Sequence, residues 1–313
     1  MEELHVVTSL AMVAELVSLS LASLQKHTWT WRGHTIAYTV AGEGTPIVLI
    51  HGFGASLGHW RKNIPALAAA GHQVYALDLL GFGDSDQPEL PYTLDLWQEL
   101  LADFWAEFIH TPAIYVGNSI GGLLTLMMLA NHPDKAAAGA VLNCAGGLNH
   151  RPEELYPPLT WVMGAFTWLV SSPRVGPLVF NQVRRKGRIR SSLRQVYRNP
   201  AAITDELIDM IYAPACKPTA QKVFAAIVTA PPGPKPDDLL PRIAQPLLVL
   251  WGENDPWTPI KGADVYRKLA ADVARPGLVS FHSIANTGHC PHDERPEVVN
   301  PLLIDWLGTL PKG

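Results

Sequence analysis

A serine between two glycines joins two apolar stretches near the middle of the chain, in the segment Gly117-Asn118-Ser119-Ile120-Gly121. Residues 113–116 before it suit a short buried strand, and residues 123–129 after it are typical of a helix. A chain that turns directly from a strand into a helix has little room at the turn, and the glycines provide it. The segment therefore predicts a strand, a tight turn and a helix, with Ser119 at the carboxyl end of a sheet.

Short β-rich runs alternate with helical stretches along most of the chain. Continuous apolar strands separated by helices indicate an α/β fold with a mostly parallel sheet covered on both faces. Residues 150–240 break this alternation, and we expect a helical cap inserted above the carboxyl edge of the sheet, where ligands of open α/β sheets bind. The predicted organisation is an N-terminal apolar or amphipathic helix (1–27), the first part of the core (28–149), the cap (150–240) and the second part of the core (241–313).

Composition and charge argue against several classes of protein. The net charge of −4 gives no reason to expect a nucleic acid as partner. The three cysteines are too few and too scattered for a disulfide framework or a zinc site. The sequence contains no His-Glu-x-x-His motif, no P-loop and no dinucleotide-binding glycine pattern. We expect no metal and no cofactor.

The N-terminal residues 6–24 are apolar, interrupted by Glu15 and small hydroxyl side chains. A spanning helix needs about 20 mostly apolar residues, so the length is borderline. We expect a helix that lies on a membrane surface or packs on the domain, and spanning is the least favoured of the three. Glu2 and Glu3 replace the basic start of a signal peptide, and the arginine-rich composition of a transit peptide is lacking.

If Ser119 is a nucleophile, a base and an acid should follow it in the order Ser, Asp, His. Asp255 lies just past the penultimate predicted strand, and His289 lies just past the last one. Three strand ends that deliver these three residue types in that order predict a catalytic triad. His289 would take the serine proton and return it to the leaving alcohol, while Asp255 would orient the imidazole.

Two other residues compete for the role of the acid. Glu253 is the alternative carboxylate, but it lies closer to the strand than Asp255 does. Asn143, at the end of the strand predicted over 138–142, occupies a position that carries the acid in some relatives of this fold. Its amide cannot serve as a carboxylate, so Asp255 is preferred.

The oxyanion hole is expected from two backbone N–H groups. Ile120 follows the serine at the start of a helix, where N–H groups have no partner within the helix. Phe53 lies in His51-Gly52-Phe53-Gly54, directly after a predicted strand, and its N–H is the expected second donor.

The chain resembles the α/β-hydrolases with a cap domain from about residue 28 onward. Within them it is similar to chlorophyll dephytylases and, less closely, to pheophytinases. The resemblance is carried by His51-Gly52-Phe53-Gly54-Ala55-Ser56, Asp78-Leu79-Leu80-Gly81-Phe82-Gly83, Leu142-Asn143-Cys144-Ala145-Gly146-Gly147, Thr229-Ala230-Pro231-Pro232-Gly233-Pro234 and Gly288-His289-Cys290-Pro291-His292-Asp293-Glu294-Arg295-Pro296.

The resemblance implies hydrolysis of the phytyl ester of chlorophyll or pheophytin, giving chlorophyllide or pheophorbide and phytol. The family's triad falls on Ser119, Asp255 and His289. It also implies a peripheral location on the cytoplasmic side of a thylakoid or another membrane, and the lack of a transit peptide favours a cyanobacterial origin. Pro256-Trp257 is closer to the pheophytinase wording, whereas the Cys144 and Pro231 segments favour the dephytylases, so the preferred pigment stays open.

The predicted cap contains two features with more than one interpretation. Trp161, Met163, Phe166 and Trp168 could line a trough for an isoprenoid tail, or they could form the cap's own core. The basic run from Arg184 to Arg198 could be a solvated helix face, or it could contact anionic lipid headgroups together with residues 1–27.

Two other functions remain open beside a phytyl esterase. The same triad could hydrolyse another lipid, a small-molecule ester or a carbon–carbon bond. Alternatively, the protein could be a ligand-binding module that turns over slowly.

Overall fold

The computed structural model describes residues 25–151 and 157–311. Most of the predicted N-terminal helix, and with it the apolar segment 6–24, lies outside the described residues. In the described part the chain is already in a strand at Lys26, within the last two residues assigned to the predicted N-terminal helix (1–27).

Eight strands form a single sheet in the order β1-β2-β4-β3-β5-β6-β7-β8. The pairs β1·β2 and β2·β4 are antiparallel, and every later pair is parallel, which confirms the predicted mostly parallel sheet. The strands are β1 Lys26–Trp31, β2 His34–Ala41, β3 Thr45–Ile50, β4 His72–Leu77, β5 Ala113–Asn118, β6 Ala136–Leu142, β7 Leu247–Gly252 and β8 Val279–Ile284.

Helices cover both faces of this sheet and fill the segment between β6 and β7. Those of the two core segments are α1 Ile64–Ala69, α2 Leu94–Phe108, α3 Ile120–Asn131, α10 Asp264–Ala270, α11 Pro291–Glu294 and α12 Pro296–Thr309. Those between β6 and β7 are α4 Pro157–Ser171, α5 Gly176–Val183, α6 Lys186–Val196, α7 Asp205–Tyr212, α8 Ala220–Val228 and α9 Pro236–Leu239. Short 3₁₀ turns connect several of them.

Two apolar clusters, one on each face of the sheet, form the core. Along β3 the side chains alternate between them: Ile47 and Leu49 join the cluster under α1 and α12, while Val48 and Ile50 join the cluster under α2 and α3. Successive strand residues point to opposite faces, so an apolar residue at every position means burial on both. This double burial explains why β5 reads as one continuous apolar run.

A third, smaller apolar cluster lies in the cap, between α6 and α7. Ile189 and Leu193 of α6 pack with Leu207 and Ile208 of α7, and Cys290 of the core joins the same cluster. Because Cys290 follows His289, the cap packs directly against the predicted catalytic histidine loop.

No helix among residues 25–151 and 157–311 is long and apolar enough to cross a membrane.

Candidate active site

The turn between β5 and α3 holds Ser119 in a conformation that side chains rarely adopt. Its backbone has φ of 58° and ψ of −119°, and it immediately precedes the first residue of α3. A Cβ on Gly117 would lie 2.0 Å from the carbonyl oxygen of Gly121, and a Cβ on Gly121 would lie 2.2 Å from that of Ile50. The sharp turn therefore depends on both glycines, as the sequence pattern predicts.

Asp255 and His289 are in direct contact. The Nδ1 atom of His289 lies 2.6 Å from the Oδ2 atom of Asp255, and both side chains are almost completely buried. Asp255 follows β7 and His289 follows β8, as expected from the sequence. Since the carboxylate accepts the Nδ1 proton, the Nε2 atom of the neutral ring is left as the base.

Asp255 also accepts hydrogen bonds from three other groups. The amide of Asn143 donates to Oδ2 at 2.7 Å, the hydroxyl of Thr258 donates to the same oxygen, and the N–H of Trp257 donates to Oδ1 at 2.7 Å. Burial raises the pKa of Asp255, but the contact with His289 and the hydrogen bonds from Thr258 and Trp257 outweigh it and hold the pKa below its usual range. The carboxylate is therefore kept ionised and fixed in position.

Asn143 has a role that its amino-acid type alone did not predict. The sequence places it where some relatives carry their acid, and the structure places its amide between Asp255 and β7. It donates to Asp255 and accepts the N–H of Gly252 at 2.9 Å. Its own backbone is left-handed, with φ of 44°. The sequence feature that indicates this role is the position of Asn143 directly after β6, close to the acid that follows the neighbouring strand β7.

Asn118 connects the serine turn to the histidine loop. Its side-chain amide donates to the carbonyl oxygen of His289 at 2.9 Å and to that of Leu142 at 3.0 Å. Asn118 is buried and directly precedes Ser119. One side chain therefore joins the ends of β5 and β6 to the loop that carries His289.

The loop after β3 approaches Ser119 from the other side. A Cβ on Gly52 would lie 3.2 Å from the Cβ of Ser119. Phe53 is the next residue of this loop, so it also lies near the serine. Buried His51 holds this loop: its Nδ1 lies 2.8 Å from the carbonyl oxygen of Gly52, and its Nε2 accepts the N–H of Leu79 at 3.0 Å. Burial lowers the pKa of His51 to about 4. The imidazole is therefore neutral at ordinary pH, as the accepting Nε2 requires.

Glu294 of α11 joins the cap to the loop that carries His289. No role for this residue was predicted from the sequence. This buried carboxylate accepts the N–H of Gly288 at 2.8 Å, and the N–H groups of Arg198 and Asn199 at 2.7 Å each. The N–H of His289 in turn donates to the carbonyl oxygen of Val196, at 2.8 Å. The cap segment 196–199 is thus bonded directly to the loop that carries His289.

A largely apolar pocket opens between the core and the cap, starting at Phe53. It has a volume of about 710 Å³, including the space at its mouth. Cap residues Phe180 and Phe224 form its far side, and Arg184 is the charged residue that lines it.

The four aromatic and methionine side chains predicted to bind substrate lie elsewhere on the cap. Trp161 and Trp168 of α4 are 80% and 69% exposed, and Met163 and Phe166 are half-buried in the same helix. The pocket is lined instead by residues of α5 to α8 and of the core loops. The pocket at Phe53 does not include any of these four side chains. A substrate role for Trp161, Met163, Phe166 and Trp168 stays a prediction.

The described residues contain no group of three or more His, Cys, Asp or Glu side chains arranged to hold a metal ion. The chemistry that the site can perform is that of a serine, an imidazole and a fixed carboxylate.

The chain that carries this site is similar to known hydrolases. The model of the family described as "Alpha/beta hydrolase family" matches residues 47–302. The chain is 27% identical over 307 residues to the chloroplastic pheophytinase of Arabidopsis thaliana, which covers 85% of this chain and 62% of that protein. It therefore spans less than two thirds of the length of that relative.

Two further similarities concern different activities. The chain is 28% identical to the 2-hydroxy-6-oxo-6-(2'-aminophenyl)hexa-2,4-dienoic acid hydrolase of Metapseudomonas resinovorans, over 86% of each chain. A crystal structure of a membrane phospholipase A, described as a bacterial virulence factor, superposes with a TM-score of 0.72 over 99% of both chains, at 26% identity. The family match over residues 47–302 and the fold agree, and the chain belongs to the alpha/beta hydrolase family.

Proposed function

We propose that this protein is a serine hydrolase of carboxylic esters that acts through Ser119, His289 and Asp255. The observation that carries the proposal is the 2.6 Å contact between His289 and Asp255, at the sheet edge where the glycine turn presents Ser119. A buried carboxylate that fixes an imidazole near a partly exposed serine is the arrangement that makes a hydroxyl nucleophilic.

The reaction follows from this geometry in two steps. His289 takes the proton of Ser119 as the oxygen attacks the ester carbonyl, and the N–H groups of Phe53 and Ile120 stabilise the oxyanion that forms. Collapse of the intermediate passes the proton from His289 to the leaving alcohol and leaves an acyl-enzyme. Water, activated by the same imidazole, then releases the carboxylic acid and restores Ser119.

We further propose that the ester is the phytyl ester of chlorophyll or pheophytin. A long isoprenoid alcohol needs an apolar slot near the nucleophile, and the pocket lined by Phe53 supports this class of substrate, since Phe53 follows Gly52, which lies close to Ser119. The 27% identity to a pheophytinase supports this class of substrate, as do the sequence motifs after His289.

The test is an incubation of the purified protein with chlorophyll a and, separately, with pheophytin a, followed by measurement of released phytol. Ser119→Ala is the inactive control, and Ser283→Ala, an exposed serine of β8 outside the triad, is the control for a general effect of removing a hydroxyl. We expect phytol from at least one pigment with the wild type and Ser283→Ala, and none with Ser119→Ala.

A short p-nitrophenyl ester in the same experiment separates the two parts of the proposal. Hydrolysis of the short ester without release of phytol would reject the pigment and keep the esterase. If neither ester is cleaved faster than by Ser119→Ala, the esterase itself is rejected. Cleavage of a dienoic acid at its carbon–carbon bond would then favour an activity like that of the dienoic acid hydrolase of Metapseudomonas resinovorans.

A further inference from the structure

One face of the cap helix α4 is apolar and exposed. Trp161 and Trp168 are separated by seven residues, which is two helical turns, so both side chains lie on the same side of the helix. Their exposed fractions are 80% and 69%, and Val162 beside them is 61% exposed. Helix α5, which packs against α4, adds the exposed Leu178. Exposed tryptophans are unusual on a soluble surface and mark a place where something else binds.

The same part of the chain carries a strong excess of positive charge. Residues 155–204 contain eight Lys or Arg and no Asp or Glu, which leaves 16 basic against 28 acidic side chains in the rest of the chain. Lys186 and Arg190 form ion pairs with acidic residues of α7. Arg185, Arg188 and Arg194 are exposed and form no ion pair with the residues that the structure describes. The cap is therefore basic while the protein as a whole is acidic.

We propose that this surface, Trp161, Val162, Trp168 and Leu178 with the basic residues 184–194, docks on the surface of a lipid bilayer that contains anionic lipid. Tryptophan is the side chain that prefers the boundary between headgroups and acyl chains, since its ring is apolar and its N–H is polar. Basic residues beside it are attracted by anionic headgroups.

The charge also argues against the other occupants of this face. A second copy of the chain would bring its own basic cap to a symmetric contact, and like charges would then face each other. The N-terminal residues 1–24 carry three acidic side chains and no Lys or Arg, which is too few to balance eight basic ones. An anionic bilayer offers negative charge over the whole width of the surface.

The position of the pocket connects this surface with substrate entry, and this step rests on the proposed function. Val183 is 43% exposed and also lines the apolar pocket, so the pocket reaches the protein surface at the end of α5. Arg184, the next residue, lines this pocket and the basic depression formed with Arg185 and Lys186. Docking would bring the mouth of the pocket to the bilayer, where an ester with a long apolar chain is dissolved.

The experiment is flotation of the full-length protein with vesicles of ether-linked phosphatidylcholine, with or without ether-linked phosphatidylglycerol, so that no carboxylic ester is present. The test variants are the pair Trp161→Ser with Trp168→Ser, and the triple change of Arg185, Arg188 and Arg194 to Gln. The controls are Val273→Ser, a 93% exposed apolar side chain in the core loop between α10 and β8, and Lys268→Gln, an exposed basic residue of α10. Hydrolysis of a short soluble ester is measured for each variant.

We expect the wild type and both controls to float with the anionic vesicles and much less with neutral ones. Each test variant should lose about tenfold in vesicle binding, with the soluble-ester rate unchanged. Wild-type protein that ignores anionic vesicles, or a tryptophan variant that floats as well as the wild type, would overturn the proposal. So would loss of flotation on removal of residues 1–24 alone, or a dimer that dissociates in the tryptophan variant. Because the vesicles carry no ester, a failed esterase assay and a failed docking assay are separate results.

Discussion

The core and the cap of this protein differ in what they do with polar and apolar groups. In the core, two buried amides at the site are fixed by hydrogen bonds: Asn143 bonds Asp255 and Gly252, and Asn118 bonds the carbonyl oxygens of His289 and Leu142. In the cap, Trp161 and Trp168 face outward, and Arg185, Arg188 and Arg194 form no ion pair with the residues that the structure describes. The core therefore holds the catalytic side chains in one geometry, whereas the cap presents a surface suited to contact with another molecule.

The largest effect should come from the acid of the triad. Asp255→Asn keeps the shape of the side chain but offers an N–H or a neutral oxygen to His289, which favours the wrong tautomer. We expect kcat on a short ester to fall by about 10⁴-fold, the loss typical of this change in serine hydrolases. The control is Glu253→Gln, which removes the competing carboxylate of the sequence prediction. That side chain is exposed and bonds Ser283. A large loss in the control with a small one in Asp255→Asn would reverse the assignment.

Local motifs predicted the core well because the physical demand and the residues that meet it lie close together in sequence. The strand predicted over residues 113–116 lies within β5, and the glycines at 117 and 121 are where a sharp turn needs them. Asp255 and His289 could be placed because each follows a strand, and parallel strands end at one edge of the sheet.

The sequence said less about the cap because its contacts join residues far apart in the chain. Glu294 bonds the N–H groups of Arg198 and Asn199, about a hundred residues earlier, and no local pattern marks such a partner. The aromatic stripe of α4 has helical spacing, which predicts a helix but not what its two faces meet. Tertiary packing decides that, and it leaves Trp161 and Trp168 in solvent.

Acid should unfold the core through its buried histidines. Burial lowers the pKa of His51 to about 4, against about 6.5 in an unfolded chain. Between these values the unfolded state binds the proton and the folded state does not, so stability is present above pH 6.5 and is lost as the pH falls toward 4. The shift corresponds to about 3 kcal/mol. Urea unfolding of the wild type from pH 7 to 4 should show this loss, and His51→Gln should show a smaller slope. The exposed His282→Gln should keep the wild-type slope.

The joint between the two regions should be tested at Glu294. In Glu294→Gln one oxygen that accepts backbone N–H groups becomes an NH₂, and at least one buried donor loses its partner. We expect about 2 kcal/mol less stability and a fall in kcat of about 10- to 100-fold, measured well below the unfolding transition. KM for a short ester should change little, because a displaced His289 slows the chemistry and leaves the pocket intact.

Glu297→Gln is the control for this change, since Glu297 lies three residues away, is exposed and pairs with Arg295. A loss of stability in Glu294→Gln with unchanged kcat would show that the cap is fastened to the core there without positioning His289. Equal effects in both variants would point to a general effect of lost charge.

The smallest effect should come from the pocket wall that the cap contributes. Phe224 contacts Phe53 across the pocket, with ring centres 6.1 Å apart, and Phe180 within the cap at 5.3 Å. In Phe224→Ala we expect KM for a long-chain ester to rise about tenfold, because an apolar chain loses one wall of its slot. A short acyl ester reaches only the serine and the oxyanion loop, so its KM and kcat should stay near wild type. Phe108→Ala removes a half-buried ring of α2 outside the pocket and should alter neither ester. Equal losses with long and short esters would mean that Phe224 supports the loop of Phe53 rather than the substrate, and the division between a catalytic core and a binding cap would then fail at that contact.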